Sequence, residues 1–284
     1  MSLSVLASYA FAKDLRPLPP GSHLMLDSGG FTAYTRGQII TVPELAAWYA
    51  AHPAEVYAAL DVIYDPAASR ANALAMRALG VPITPAVHAG TPPAEVDRLA
   101  DDGFTTIALG GLVNKHNSRP HIDAWAHACL DRADARGLPV HGFGLSPHNP
   151  ARLPLMMRFA SVDSSTWLAA RYGRDTRIWD GRAYRSFDMN RDRMELAAIM
   201  RRWPGDWLAP LTRHRGGGNS AESLRMLQLG GAASMLAFGQ SLRARGGPRV
   251  YLASYLSNIA PADDATVTAL LDAIGPGEPE ESAA

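Results

Sequence analysis

The stretch Leu24-Met25-Leu26-Asp27-Ser28-Gly29-Gly30-Phe31 sets the reading of this chain. A short apolar run ends on a carboxylate, and the backbone then turns on two glycines into an aromatic residue. Such a run reads as a buried strand, and Gly-Gly as a turn that lets backbone approach a ligand. Three later stretches repeat the form, a strand-like run ending on a polar or glycine-rich tip. They are Ala58-Ala59-Leu60-Asp61, Ile107-Ala108-Leu109-Gly110-Gly111-Leu112 and Phe159-Ala160-Ser161-Val162-Asp163-Ser164-Ser165-Thr166. Functional groups on several strand tips at one end of a repeated β-α chain are what a barrel enzyme needs.

Outward from that stretch the pattern alternates regularly. Strands are expected over 4–11, 24–27, 56–63, 82–88, 105–112, 139–145 and 160–163. Helices are expected between them, from 42 onward and over 66–79, 92–101, 121–136 and 150–159. Thr41 followed by Glu44 has the spacing of a capping box, and Gly80 and Gly137 stand where helices should stop. Short connections and strict alternation indicate parallel β-α units. An eighth strand expected over 207–211 would close the sheet, giving one (β/α)8 TIM barrel over 1–274 and a disordered Gly/Pro/Glu-rich tail over 275–284. The stretch 167–188 breaks the rhythm and reads as a hairpin with an aromatic and basic face, inserted after the strand that carries Asp163. Further helices are expected over 190–202, 220–229, 232–245 and 265–274.

Bulk properties narrow the class. At 284 residues, 47% hydrophobic and 19% charged, the chain can bury one large core. Formal charge is zero, so no global field argues for nucleic acid, but its distribution is uneven. Between Ala151 and Arg215 there are 13 arginines against 7 acids, and lysine occurs only at 13 and 115. Arginine suits phosphate recognition, and a compositional bias would give the same excess. The single cysteine, Cys129, excludes a disulfide framework and a cysteine-rich zinc site, and its helical context marks it as a core residue. Met1 to Phe11 has no charged n-region, and no apolar run reaches membrane-spanning length, so cytoplasmic residence without a membrane partner is expected.

Asp27 and Asp163 both end apolar runs, where an ordinary turn or cap competes with a functional role. Two such carboxylates in one parallel barrel would face the same pocket. That pairing suits displacement at an anomeric carbon, with one carboxylate as nucleophile and the other as acid/base. Asp61, on a third strand, offers an acceptor for the paired N–H donors of a guanine-like edge. Gly110 and Gly111 offer backbone amides or a plain turn, and His88 at a strand tip reads as a ligand contact or a satisfied core histidine. Arg171, Arg174, Arg182 and Arg185 are candidate phosphate contacts or a solvated face, and a loop over 213–219 containing His214 is a weaker phosphate candidate.

Asp27-Ser28-Gly29-Gly30-Phe31 resembles the signature of the tRNA-guanine transglycosylases, and further motifs follow in that family's order. Asp61 falls on its second base-reading aspartate, Val87-His88-Ala89-Gly90 on its Val-Gln-Gly-Gly, and Ala108-Leu109-Gly110-Gly111-Leu112 on its Gly-Gly-Leu. Gly142-Phe143-Gly144 falls on its Gly-Val-Gly and Asp163 on its nucleophile. The resemblance covers roughly 24–166 and implies a (β/α)8 barrel that exchanges guanine for a 7-deazaguanine through a covalent glycosyl-enzyme, with no cofactor. It implies that Phe31 stacks on the base, that Asp61, His88 and the amides of Gly111 and Leu112 read its edge, and that Asp163 attacks C1′. Asp27 is then the acid/base, and His141 stands where a methionine of the family stacks on the base.

Departures from the family refine that expectation. The zinc subdomain of the tRNA enzymes cannot form with one cysteine, His88 replaces a glutamine, and Thr32 replaces the glutamine after the aromatic. The context of Asp163 is similar to shorter relatives called deoxypurine-in-DNA protein A, which place 7-deazaguanines in DNA. DNA is therefore the favoured partner, with the arginine-rich hairpin as a replacement contact and partner modification proteins as further candidates. Three rivals remain: a zinc-free enzyme acting on tRNA, a hydrolase that releases guanine, and a silent nucleic-acid-binding subunit.

Overall fold

A computed structural model describes residues 3–11, 15, 18, 20–113, 120–146, 150–168, 175–188, 191–200 and 221–254. Strands β1 (Ser4–Ser8), β2 (His23–Asp27), β3 (Val56–Ala58), β4 (Ile83–Thr84), β5 (Ala86–His88), β6 (Ile107–Gly110), β7 (Val140–Gly142) and β8 (Ser161–Ser164) are joined by β11 (Arg249–Ser254) in one sheet. Its order is β4-β3-β2-β1-β11-β8-β7-β6-β5, and every pair in it is parallel. The two end segments, β4 and β5, are separated only by Pro85, which has no N–H to give to a ladder. On the carbonyl side the pattern continues through it: Ala59 donates to Thr84 O at 3.0 Å and Ala108 to Pro85 O at 2.8 Å. The sheet is thus nearly closed and barrel-like, compatible with a TIM-type α/β barrel.

Helices α1 (Gly30–Arg36), α2 (Val42–Ala51), α3 (Pro66–Ala78), α4 (Glu95–Asp101), α5 (Pro120–Ala135), α6 (Leu153–Met156), α7 (Arg193–Met200) and α8 (Ala221–Arg243) accompany the sheet. Local chemistry sets their ends. Asp65 caps α3 by accepting from Ala68 N at 2.9 Å, with Pro66 as the first helical residue. Thr41 caps α2 as expected, accepting from Glu44 N, but the Glu44 carboxylate is bound by Tyr9 Oη instead of closing a box. Alternation along the strands divides the apolar residues. Leu26, Val250 and Leu252 join the main core under the helices, while Leu6, Met25, Ala58 and Tyr251 form a separate cluster on the opposite sheet face. Asp27 follows Met25 by two residues and so shares that inner face.

The closing strand and the helix before it also differ from expectation. Residues 207–211 lie outside the described residues, and β11 occupies the place between β8 and β1. Its run Arg249-Val250-Tyr251-Leu252-Ala253-Ser254 alternates between the two clusters as a closing strand should. The helices expected over 220–229 and 232–245 are one helix, α8. Gly230-Gly231 is not a break, because a Cβ on Gly231 would lie 2.5 Å from Trp167 O; the missing side chain lets helix and loop touch.

The hairpin forms as β9 (Asp175–Trp179) paired antiparallel to β10 (Tyr184–Asp188). Its aromatic side is not free, since Trp179 and Tyr184 pack edge-on against Phe238 of α8 at centroid distances of 6.1 and 5.3 Å. Residues 201–220, with His214, the helix over 265–274 and the tail over 275–284 lie outside the described residues. Among those described, no helix is long and apolar enough to cross a membrane.

Candidate active site at the strand ends

Parallel strands present their carboxyl ends together, and a cavity of about 860 Å³ opens there. That volume lies in the range of small-molecule sites. Its walls include Asp27, Phe31, Asp61, His88, Gly110, Gly111 and Asp163, so most of the expected site residues meet in one place. Leu112 and His141 are not on these walls. Leu112 is fully buried and its carbonyl accepts from Arg152 Nη1 at 2.8 Å, while His141 is buried beside Asp163.

Asp27 ends β2 and is held by the turn behind it, where Gly29 N donates to Oδ2 at 3.0 Å. Gly29 has φ +72°, and a Cβ there would lie 2.7 Å from Ala10 Cβ, so the turn needs glycine on both counts. A Cβ on Gly30 would come within 3.0 Å of the Asp61 carbonyl oxygen, which brings the tips of β2 and β3 together. Burial pushes the Asp27 carboxyl up to about 6, opposed by the Ser8 hydroxyl and the Gly29 amide and reinforced by the charges of Asp61 and Asp163. A carboxyl poised near neutrality can both give and take a proton in the working range.

Asp61 and His88 face each other with His88 Nε2 2.9 Å from Asp61 Oδ2. The contact has ion-pair distance without hydrogen-bond alignment, so His88 Nε2 and Asp61 Oδ1 are buried without a hydrogen-bond partner among the described residues. Burial alone would lower the His88 pKa, but the Asp61 carboxylate more than offsets it and the imidazole is raised above its ordinary value. Gly110 explains the ring's position, since a Cβ there would lie 2.4 Å from His88 Nδ1. Gly111, with φ +75°, turns the chain away immediately afterward.

Asp163 lies within β8 and is 6% exposed. Its Oδ1 accepts from Gly144 N at 2.8 Å and is 3.3 Å from His141 Nε2. Phe31, on the first turn of α1, is 67% exposed at the rim, where Tyr64, Val62 and Val113 are also exposed and line the cavity. Tyr64 carries φ 67° and is the only non-glycine with a left-handed backbone among the described residues.

Two of the four candidate arginines are described. Arg171 and Arg174 lie outside the described residues, Arg182 is exposed, and Arg185 is bound to Glu195 at 2.7 Å and lies 3.5 Å from Asp180. Sequence reasoning passed over Ser161, whose Oγ lies 2.8 Å from His141 Nδ1, and the Gly144 amide on Asp163. Ser161 stands two residues before Asp163 in one strand, a spacing that puts both on one face. Among the described residues no group of three or more His, Cys, Asp or Glu side chains is arranged to hold a metal ion. No protein-family model matches this chain, and no curated protein matches it.

Proposed function

We propose that this protein is a transglycosylase that exchanges guanine in DNA for a 7-deazaguanine base through an aspartyl-glycosyl intermediate. The observation that carries the reading is the meeting of Asp27, Asp61 and Asp163 with His88 and Phe31 around one cavity of about 860 Å³. A (β/α)8 barrel is part of the proposal. It is supported by counting β4 and β5 as one strand interrupted at Pro85, which leaves eight parallel strand positions. On this reading the hairpin is an insertion after the nucleophile strand, and the exposed Arg182 is a candidate phosphate contact.

The target guanine must leave the stack, because C1′ is inaccessible inside a duplex. Phe31 stacks on the entering base. The orphaned Asp61 Oδ1 accepts from its N–H edge, which relieves the cost of a buried unpaired acceptor. His88, its pKa lowered by burial but raised overall by the Asp61 carboxylate, donates toward a 6-oxo group, helped by the glycine-rich backbone at 110–111. Asp163 attacks C1′ as the bond to the base breaks and the electron pair leaves on the base nitrogen. Asp27 supplies a proton to the departing base and removes one from the incoming 7-deazaguanine, whose nitrogen then attacks C1′ and frees Asp163.

The test is base exchange with labelled guanine and a 7-deazaguanine, offered with DNA and separately with tRNA. Label in DNA is the expected result. Label in tRNA alone would transfer the same chemistry to the other polymer. Guanine release without incorporation would make the protein a hydrolase, and binding without either would make it a silent subunit.

A further inference from the structure

We propose that His141 is a positioning residue that aims the Asp163 carboxylate, and not a contact for the base. The inference rests on the nucleophilic role of Asp163 proposed above. In the sheet His141 is paired in register with Ser161, and Asp163 follows Ser161 by two residues on the same strand. Ser161 and Asp163 therefore point the same way, and the imidazole reaches both: Nδ1 lies 2.8 Å from Ser161 Oγ and Nε2 3.3 Å from Asp163 Oδ1. The ring is 4% exposed and held edge-on by Phe143, with centroids 4.6 Å apart, and by Tyr251 at 6.0 Å. It is absent from the cavity wall, so a base in the cavity has no face of this ring to stack on.

The geometry also says what the ring does. His141 Nε2 and the Gly144 amide, 2.8 Å away, converge on the same carboxylate oxygen, Oδ1, and among the described residues neither reaches Oδ2. Oδ2 is left to form the bond to C1′ while the bond from C1′ to the base breaks. In the second step the incoming nitrogen bonds C1′ and Oδ2 departs as carboxylate, with its charge again shared onto the hydrogen-bonded Oδ1. A donor at Nε2 requires the Nε2–H tautomer, and Ser161 fixes it by donating its hydroxyl hydrogen to Nδ1. A carboxylate free to rotate would lose attack geometry, and small misplacements of reacting atoms cost up to about 100-fold.

Two measurements test this. In single-turnover trapping, His141→Leu should slow covalent adduct formation about 10- to 100-fold with the KM for guanine within about twofold. His141→Gln, which keeps a donor near the Nε2 position, should recover most of that rate. A His141→Leu rate equal to wild type, or an unchanged rate with a raised KM, would overturn the assignment. Imidazole 15N NMR of the wild-type protein needs no turnover. It should show His141 protonated at Nε2 and bare at Nδ1, with the Nε2 signal moving in Asp163→Asn. The opposite tautomer in wild type would refute the positioning role even where the variants fail to fold, and no response to a folded Asp163→Asn would refute it as well. Absence of adduct in wild type would instead overturn the transglycosylase reading, while the NMR result still decides the His141–Asp163 pair.

Discussion

Asp27 shows how one residue carries a cost for its placement. It opens onto the cavity but is enclosed by protein on its other sides, and burial raises its pKa from 3.8 to about 6. The folded state therefore holds the proton more tightly than the unfolded chain does. The resulting stability is full below 3.8 and is lost as pH rises through about 6. Because the cavity admits water, the loss is about 1–2 kcal/mol, less than the unscreened shift implies. Asp27→Asn has no proton to lose, so its urea-unfolding free energy should fall less than that of wild type between about pH 4 and about pH 7. Identical pH dependence of the two proteins would contradict the assignment. The same substitution should abolish base exchange, as expected where a carboxyl is placed for chemistry at the expense of stability.

At the scale of elements, the legible parts were those that local chemistry dictates. Asp65-Pro66 opens α3, Gly80 and Gly137 follow the ends of α3 and α5, and the runs ending at Asp27 and Gly110 are strands. Their patterns lie within a few neighbouring residues. The closing strand was missed because Arg249–Ser254 is identified by its partners β1 and β8, far away in sequence. Gly230-Gly231 was misread for a related reason. Glycine weakens a helix locally, but here the absent side chain serves a contact between α8 and Trp167 O. Gly231→Val should therefore destabilise the protein by about 2–3 kcal/mol, well beyond the helix-propensity change, because the 2.5 Å neighbour is backbone. A urea midpoint like that of wild type would show that α8 does not depend on this approach. Strand tips gave away Asp27, Asp61 and Asp163, but the burial of His141 depends on Phe143, Tyr251 and Ser161 from three strand regions. That pairing was not visible in a linear pattern.

The whole molecule is a parallel sheet turned almost onto itself, with its carboxyl ends gathered around one cavity. This architecture makes the separate tips of β2, β3, β5, β6 and β8 into one site without any of them being near in sequence. It also divides labour by depth. Phe31, Asp61 and His88, which the proposed function assigns to base recognition, lie in the open part, while Asp163 sits deeper on the inner face, with His141 and Gly144 behind it. The hairpin packs its aromatic side on α8 and leaves Arg182 and Arg185 exposed.

The most direct measurement of the central claim is a trapping experiment on the full chain. The protein is incubated with guanine-containing DNA, a 7-deazaguanine base is added, and the mixture is quenched in denaturant and examined for a protein band shifted by covalent attachment. The account predicts a denaturant-stable adduct with DNA in wild type and none in Asp163→Asn. An adduct that persists in Asp163→Asn, or none in wild type with DNA or tRNA, would contradict it.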